Sequence, residues 1–228
     1  MFIEYRDIGK IGYKPAWEYQ QELLDKLVSM RKENDYASNP FAGWFLAVEH
    51  PHVYTLGKSG NEQNMLLNIM QLHAKNAEFV HTNRGGDITY HGPGQMVGYP
   101  IIDLDKLHLS VRKYIFLMEE SIISAMSAYG INCERMENAT GVWIDANIKG
   151  KARKICAIGV RVSHFVTMHG FALNINTDLS YFNYINPCGF VDKGATSMQK
   201  ELGKEMDEEK VKLLVFEKFS ELVTGNTK

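Results

Sequence analysis

Long apolar runs are missing from this chain: no stretch approaches the ~20 unbroken apolar residues a membrane span needs, and no segment is expected to cross a bilayer. A strong charge balance is missing too. The net charge of −2 supplies no field that would draw the protein onto nucleic acid or an anionic membrane, and a charged partner must be met by a local patch. Cysteine is scarce. Cys133, Cys156 and Cys188 are odd in number, far apart and without CxxC spacing, which excludes a disulfide framework or a thiolate metal site and fits a reducing, cytoplasmic setting. His50 and His52 alternate along an extended run, but no third ligand follows at metal spacing and HExxH is absent, so no metal is expected. The six prolines are scattered, and neither repeats nor low-complexity tracts occur. One compact domain over residues 1–228 follows, with 45% apolar residues to fill its core. The opening MFIEYRDIGK carries acidic residues and no apolar stretch, and reads as mature protein in place of a signal peptide.

What is present is a series of short strands with intermittent helices. FIEYRDIG reads as a strand, and Pro15 sits in the first turn of a helix running to about Arg31. FLAVEH, VYTLG, EFVHT and ITYH read as further strands. Ser110 caps a helix whose apolar positions Val111, Tyr114, Met118, Ile122, Ala125 and Tyr129 recur every three or four residues, with Gly130 as its stop. GVWID and KICAIGVRV form a hairpin pattern, and FALNIN follows as a strand. Asp207 caps a closing helix with Val211, Val215, Phe219 and Leu222 on one face. Without strict βαβ alternation, these runs predict an α+β domain with a mixed, largely antiparallel sheet.

Three places carry chemistry. Arg84 through Gln95 packs four glycines and Pro93 among polar side chains, a composition that lets main chain line a ligand pocket or simply forms tight hairpin turns. Its spacing is neither GxGxxG nor GxxxxGK[ST]. Lys154 alternates with Cys156, Ile158, Val160 and Val162, which places it on the apolar face of its strand, where burial lowers a lysine pKa, or at the strand's end with its stem reaching water. Cys188, between Pro187 and Gly189, is a loop thiol able to act as nucleophile or a small hydrophobe. Cys133 and Cys156 fall in strand-like runs and read as inert. His91 and His169 each precede glycine, as pocket or structural histidines.

Taken together, EHPHVYTLG, RGGDITYHGPGQMVGYPIIDL, TGVWID, KICAIGVRV, HGFALNINTDL and NPCG resemble the lipoate-protein ligase B family of octanoyl-carrier-protein:protein N-octanoyltransferases, over roughly His50 to Met198. The resemblance implies the biotin/lipoate protein ligase-like fold, Cys188 as the acyl-thioester nucleophile and Lys154 as its partner. It implies an acyl pocket made by Arg84, Gly85, Gly86, Asp87, Ile88, Thr89, Tyr90 and His91, by Ala157, Ile158 and Gly159, and by Gly170, Phe171 and Ala172. The donor would be acyl carrier protein, bearing the octanoyl group on its phosphopantetheine arm. The acceptor would be a lysine of the lipoyl domains of 2-oxoacid dehydrogenase complexes or of the glycine cleavage H protein. Neither ATP nor a metal is expected as cofactor, and a monomer is expected. Competing readings are an ATP-dependent lipoate or biotin-type ligase, which needs no cysteine, and a non-catalytic acyl-carrier-binding module. Lys149, Lys151 and Arg153 cluster beside Lys154 as a docking patch for acidic partners, or as a solvated hairpin tip.

Overall fold

The computed structural model describes residues 1–186 and 194–225. In chain order its elements are β1 (Phe2–Lys10), α1 (Tyr13–Met30), β2 (Phe41–Glu49), β3 (Val53–Leu56), α2 (Ile69–Ala74), β4 (Glu78–His81), β5 (Ile88–His91), β6 (Gln95–Ile102) and α3 (Val111–Ala128). There follow β7 (Glu134–Met136), β8 (Ala139–Ile144), β9 (Arg153–Ser163), β10 (Val166–Asn174), β11 (Gly194–Ala195), α4 (Met198–Leu202) and α5 (Glu208–Thr224). Among the described residues, one sheet runs β1-β2-β6-β10-β9-β8-β7, with β11 added to β9, and a second runs β4-β3-β5. Of these pairings β1–β2, β3–β4 and β9–β11 are parallel and the others antiparallel, so the mixed, largely antiparallel α+β expectation holds.

The main sheet is buried on both faces, which explains why β2 reads FAGWFLAVE without polar alternation. Phe45 and Ala47 turn to the core under α3 and α5, where Tyr114, Met118, Ile122, Val215 and Phe219 meet them. Trp44, Leu46 and Val48 turn to the opposite face, covered by Ala16, Leu23, Leu24 and Leu27 of α1. The predicted caps are present: Ser110 accepts from the Lys113 N–H and Asp207 from the Lys210 N–H. Val111, placed inward by its spacing, is exposed. Among the described residues no helix is long and apolar enough to cross a membrane.

Two departures from sequence expectation shape the site. Gln95–Ile102 carries little strand signal because Gly98 and Pro100 interrupt it, yet it is the fully buried centre of the sheet. Pro100 lacks an N–H, and near it the Thr167 hydroxyl enters the ladder, accepting from the Ile102 N–H and donating to the Pro100 carbonyl. The second departure corrects the face assigned to Lys154. Between β8 and β9 the register slips: Val142 stands opposite Cys156 and Trp143 opposite Lys154, leaving Ile155 as an extra residue. Ile155 and Cys156 therefore both enter the core under α3 and α5. Alternation restarts across this bulge, and Lys154 lies half-buried with Ala157 and Gly159 on the wall of a cavity.

Candidate active site

The cavity, of about 590 Å³, opens between the main sheet and the loop that precedes β5. Its floor follows from register. Val97 of β6 faces Ala172 of β10, which faces Ala157 of β9, and Gly170 faces Gly159 beside them, so side chains across the middle are small. One wall is the glycine-rich segment. The Gly85 N–H donates to the Val160 carbonyl at 2.9 Å, and a Cβ on Gly159 would stand 2.7 Å from the Gly85 oxygen. Glycine at 159 is therefore a packing requirement that lets two main chains touch.

Arg84 locks this wall. Its Nη2 donates to the Thr55 carbonyl at 2.6 Å and hydroxyl at 2.8 Å, and its Nη1 to the Gly85 carbonyl at 3.0 Å. Gln95 donates its amide to the Tyr90 carbonyl and Asn174 Oδ1, which leaves Gln95 Oε1 to accept from His91 Nδ1–H at 2.9 Å. That bond fixes the His91 tautomer with Nε2 as acceptor, and burial first, with His50 and Arg84 nearby, pushes its pKa well below the ordinary value and keeps the ring neutral. His50 donates from Nδ1 to the Ile11 carbonyl and accepts from the Tyr99 hydroxyl, and burial lowers its pKa to about 4. His169 is lowered to about 3, by burial first and Arg84 second. It takes a left-handed φ of 59° inside β10, its N–H held by Gln20 Oε1 and its Nε2 2.6 Å from Asn83 Oδ1. Non-glycine residues rarely hold that conformation within a strand.

Lys154 occupies the other end. Its Nζ donates to the Thr140 carbonyl at 3.2 Å and lies 4.5 Å from the centre of the Trp143 ring. Asn186 and the Gly194–Ala195 strand also line the cavity, and Ala195 pairs with Lys154 itself. The segment between those two flanks carries Cys188, which lies outside the described residues.

Arg84, Gly86, Asp87, Ile88, Thr89, His91, Lys154, Ala157, Ile158, Gly159, Gly170, Phe171 and Ala172 are thus brought together on one cavity. Gly85 and Tyr90 are not on its lining. Gly85 serves through its backbone bond to β9, and Tyr90 turns away, its hydroxyl donating to His52 Nδ1 at 2.7 Å and its ring against Tyr54 and Tyr181. Sequence reasoning missed Tyr13, Tyr99, Thr140, Trp143, Phe182, Asn183, Ile185 and Asn186, which also line it. A feature that pointed to one of them is the alternation of Gln95, Val97 and Tyr99, hidden by Pro100. Cys133 and Cys156 are free thiols; burial pushes Cys133 up to about 12 and Cys156 higher, so both stay protonated near neutral pH.

Residues 12–220 match the lipoyl protein ligase A/B catalytic domain. The octanoyltransferase of Bacteroides thetaiotaomicron is 53% identical over 90% of this chain and 88% of its own length. That of Flavobacterium johnsoniae is 51% identical over 96% of each. Among solved structures, a putative lipoate protein ligase from T. acidophilum with bound lipoic acid superposes with a TM-score of 0.68 at 13% identity, covering 98% of this chain and 86% of that one. The biotin protein ligase of Aquifex aeolicus in complex with biotin and ATP reaches 0.54 at 13% identity, covering 97% and 71%. These two likenesses establish the biotin/lipoate ligase-like fold. With half its residues identical to those octanoyltransferases, the chain belongs to the lipoyl protein ligase A/B catalytic-domain family, in its lipoate-protein ligase B branch, and is an acyltransferase.

Proposed function

We propose that this enzyme moves an octanoyl group, or a lipoyl group, from the phosphopantetheine arm of acyl carrier protein to a lysine amine of a lipoyl domain, through a thioester on Cys188. The observation that carries the reading is the position of Lys154: its amine lies on a cavity wall flanked by Asn186 and by Gly194–Ala195, the two ends of the segment that bears Cys188. Lys154 takes the proton of the Cys188 thiol, and the sulfur attacks the donor's acyl carbonyl. The carrier's thiolate leaves and is reprotonated. Exchange of one thioester for another is close to balanced in free energy, so the acyl group stays activated without ATP, and no metal is required. The acceptor amine then attacks, Lys154 removes its proton, and Cys188 leaves as an amide forms.

The small-residue floor and the neutral His91 and His169 suit an uncharged acyl chain, because no imidazolium has to be desolvated when the chain enters. Intact mass spectrometry after mixing with octanoyl carrier protein tests the reading. The wild type gains one octanoyl group, and Cys188→Ser gains none while still binding the carrier. Full turnover by Cys188→Ser would remove the thioester. Activity with octanoate and ATP alone would reassign the enzyme to the adenylate-forming ligases, and carrier binding without transfer would make it a binding module.

A further inference from the structure

Arg153 stands next to Lys154 in a basic stretch, but its charge is turned inward. Its Nε and Nη2 donate to the two carboxylate oxygens of Glu201 at 2.6 and 2.7 Å, a bidentate fork, and its Nη1 pairs with Asp145. Glu201 belongs to α4, and its carboxylate also accepts from the Thr196 hydroxyl. Thr196 in turn donates its N–H to the Lys154 carbonyl at 3.0 Å, and its own carbonyl accepts from Asn174. The Gly194 N–H reaches the Ala152 carbonyl at 3.1 Å. A single guanidinium thus joins the β8–β9 turn, the strand that carries Lys154, the returning arm Gly194–Thr196 and α4.

Lys154 needs such anchoring because it sits beside the Ile155 bulge, where the ladder to β8 slips and its outer partner is the two-residue strand β11. A bulge re-aims the side chains beside it, and the neighbouring contacts decide where they point. We propose that Arg153 and Glu201 are positioning residues that set Lys154 and the returning arm of the Cys188 segment against each other, and that Arg153 is not part of a docking patch. The inference rests on the proposed roles of Lys154 and Cys188. Arg153 holds the Glu201 carboxyl below the usual carboxylate range, so the pair stays ionised through the neutral region.

The test compares Arg153→Ala, Arg153→Lys and Glu201→Gln with the wild type by the pH dependence of Cys188 alkylation with iodoacetamide, read on the Cys188 peptide by mass spectrometry, and by kcat and KM for octanoyl carrier protein. Arg153→Ala and Glu201→Gln are expected to move the alkylation midpoint toward that of an ordinary thiol, about 8.5, and to lower kcat roughly ten- to a hundred-fold with KM little changed. Arg153→Lys keeps the charge without the fork and is expected to fall between them and the wild type. If Arg153→Ala does not fold, Glu201→Gln, which preserves shape, carries the test. A salt-dependent rise in KM with kcat and midpoint unchanged would make Arg153 a docking residue and overturn the inference, as would wild-type behaviour of the folded variants. Lys154→Ala run alongside separates the two levels. If it leaves the midpoint at the wild-type value, the dyad reading itself fails; if it moves the midpoint while Arg153 and Glu201 variants do not, only the positioning role falls.

Discussion

The two ends of the cavity are built by opposite means. At the Gly159 end, main chain rests on main chain, Arg84 is tied to the neutral groups of Thr55 and Gly85, and His91 and His169 are held uncharged. At the Lys154 end, ions meet ions: Arg153 with Glu201 and Asp145, and the Lys154 amine over Trp143. At the first end there is no room for an added atom beside Gly159, and at the second the geometry is set by charge-assisted contacts. The proposed roles of the two ends, a receptacle for an inert chain and a seat for proton transfer, fit those two constructions.

Removing the chemistry at the ionic end should cost most. Lys154→Ala is expected to lower the rate of acyl-enzyme formation by about 10²–10⁴, the usual range for a positioned base. Lys154→Arg should fail nearly as badly, since arginine keeps a cation but cannot release a proton near neutral pH. Rapid-quench measurement of octanoyl-enzyme formation across pH decides, and much retained activity in the arginine variant would mean that charge alone suffices. At the other end the corresponding change is one of shape. Gly159→Ala places a Cβ 2.7 Å from the Gly85 oxygen and 3.2 Å from the Arg84 side chain. It should cost about 1–3 kcal/mol of stability and raise KM for the octanoyl donor more than it lowers kcat. Denaturant melts together with steady-state kinetics check both parts.

Acidification should separate the ends as well. His50 and His169 have native pKa values of about 4 and about 3, below the ~6.5 of a free imidazole. From about pH 6.5 downward the unfolded chain therefore binds protons the native state refuses, and stability falls with pH until those native values are reached. Each tenfold difference in proton affinity between the two states is worth about 1.36 kcal/mol, so His50 alone costs on the order of 3 kcal/mol by about pH 4. Glu201 has the same sign but acts over a lower range of pH. Its carboxyl is depressed, so its contribution is present above the ordinary carboxylate value and is lost only as pH falls through its lowered native pKa. The histidine end should weaken first. Urea melts from pH 7 to 4 should slope downward from about 6.5, and His169→Asn should flatten part of that slope; a flat profile to pH 5 would contradict it.

Much of this was legible in the sequence, and the failures have physical causes. Caps such as Ser110 and Asp207 and the periodic faces of α3 and α5 are local signals, and the structure keeps them. The glycine-rich run and the AIG and GFA stretches of β9 and β10 also meet on one cavity. The face of Lys154 was misread because strict alternation assumes an unbroken ladder, and a bulge is set by the partner strand, which a single strand's pattern does not record. Tyr90 was misplaced with its neighbours because a motif read as a continuous string hides the alternation within it; Tyr90 belongs to a strand, β5, and its ring faces away from the site. Tyr13 was invisible for another reason: it comes to the cavity from α1, far away in sequence, by tertiary packing alone.

The charges of the ionic end that look outward should matter least. The basic stretch beside Lys154 splits once Arg153 is assigned to Glu201 and Asp145, leaving Lys149 and Lys151 exposed on the β8–β9 turn. Exposed lysines within a Debye length of a docking partner, ~8–10 Å, act mainly on encounter and are screened by salt. If an acidic carrier or lipoyl domain docks over this turn, the double change Lys149→Glu and Lys151→Glu should raise KM a few-fold at low salt, weaken its salt dependence and leave kcat nearly intact. The fold should tolerate it, because surface charges away from buried features change stability by about 0.5 kcal/mol or less. Steady-state kinetics at two ionic strengths read the outcome. Equal KM at both for the double variant and the wild type would make the turn a solvated tip, and the outward charges of this end would then have no part in the reaction.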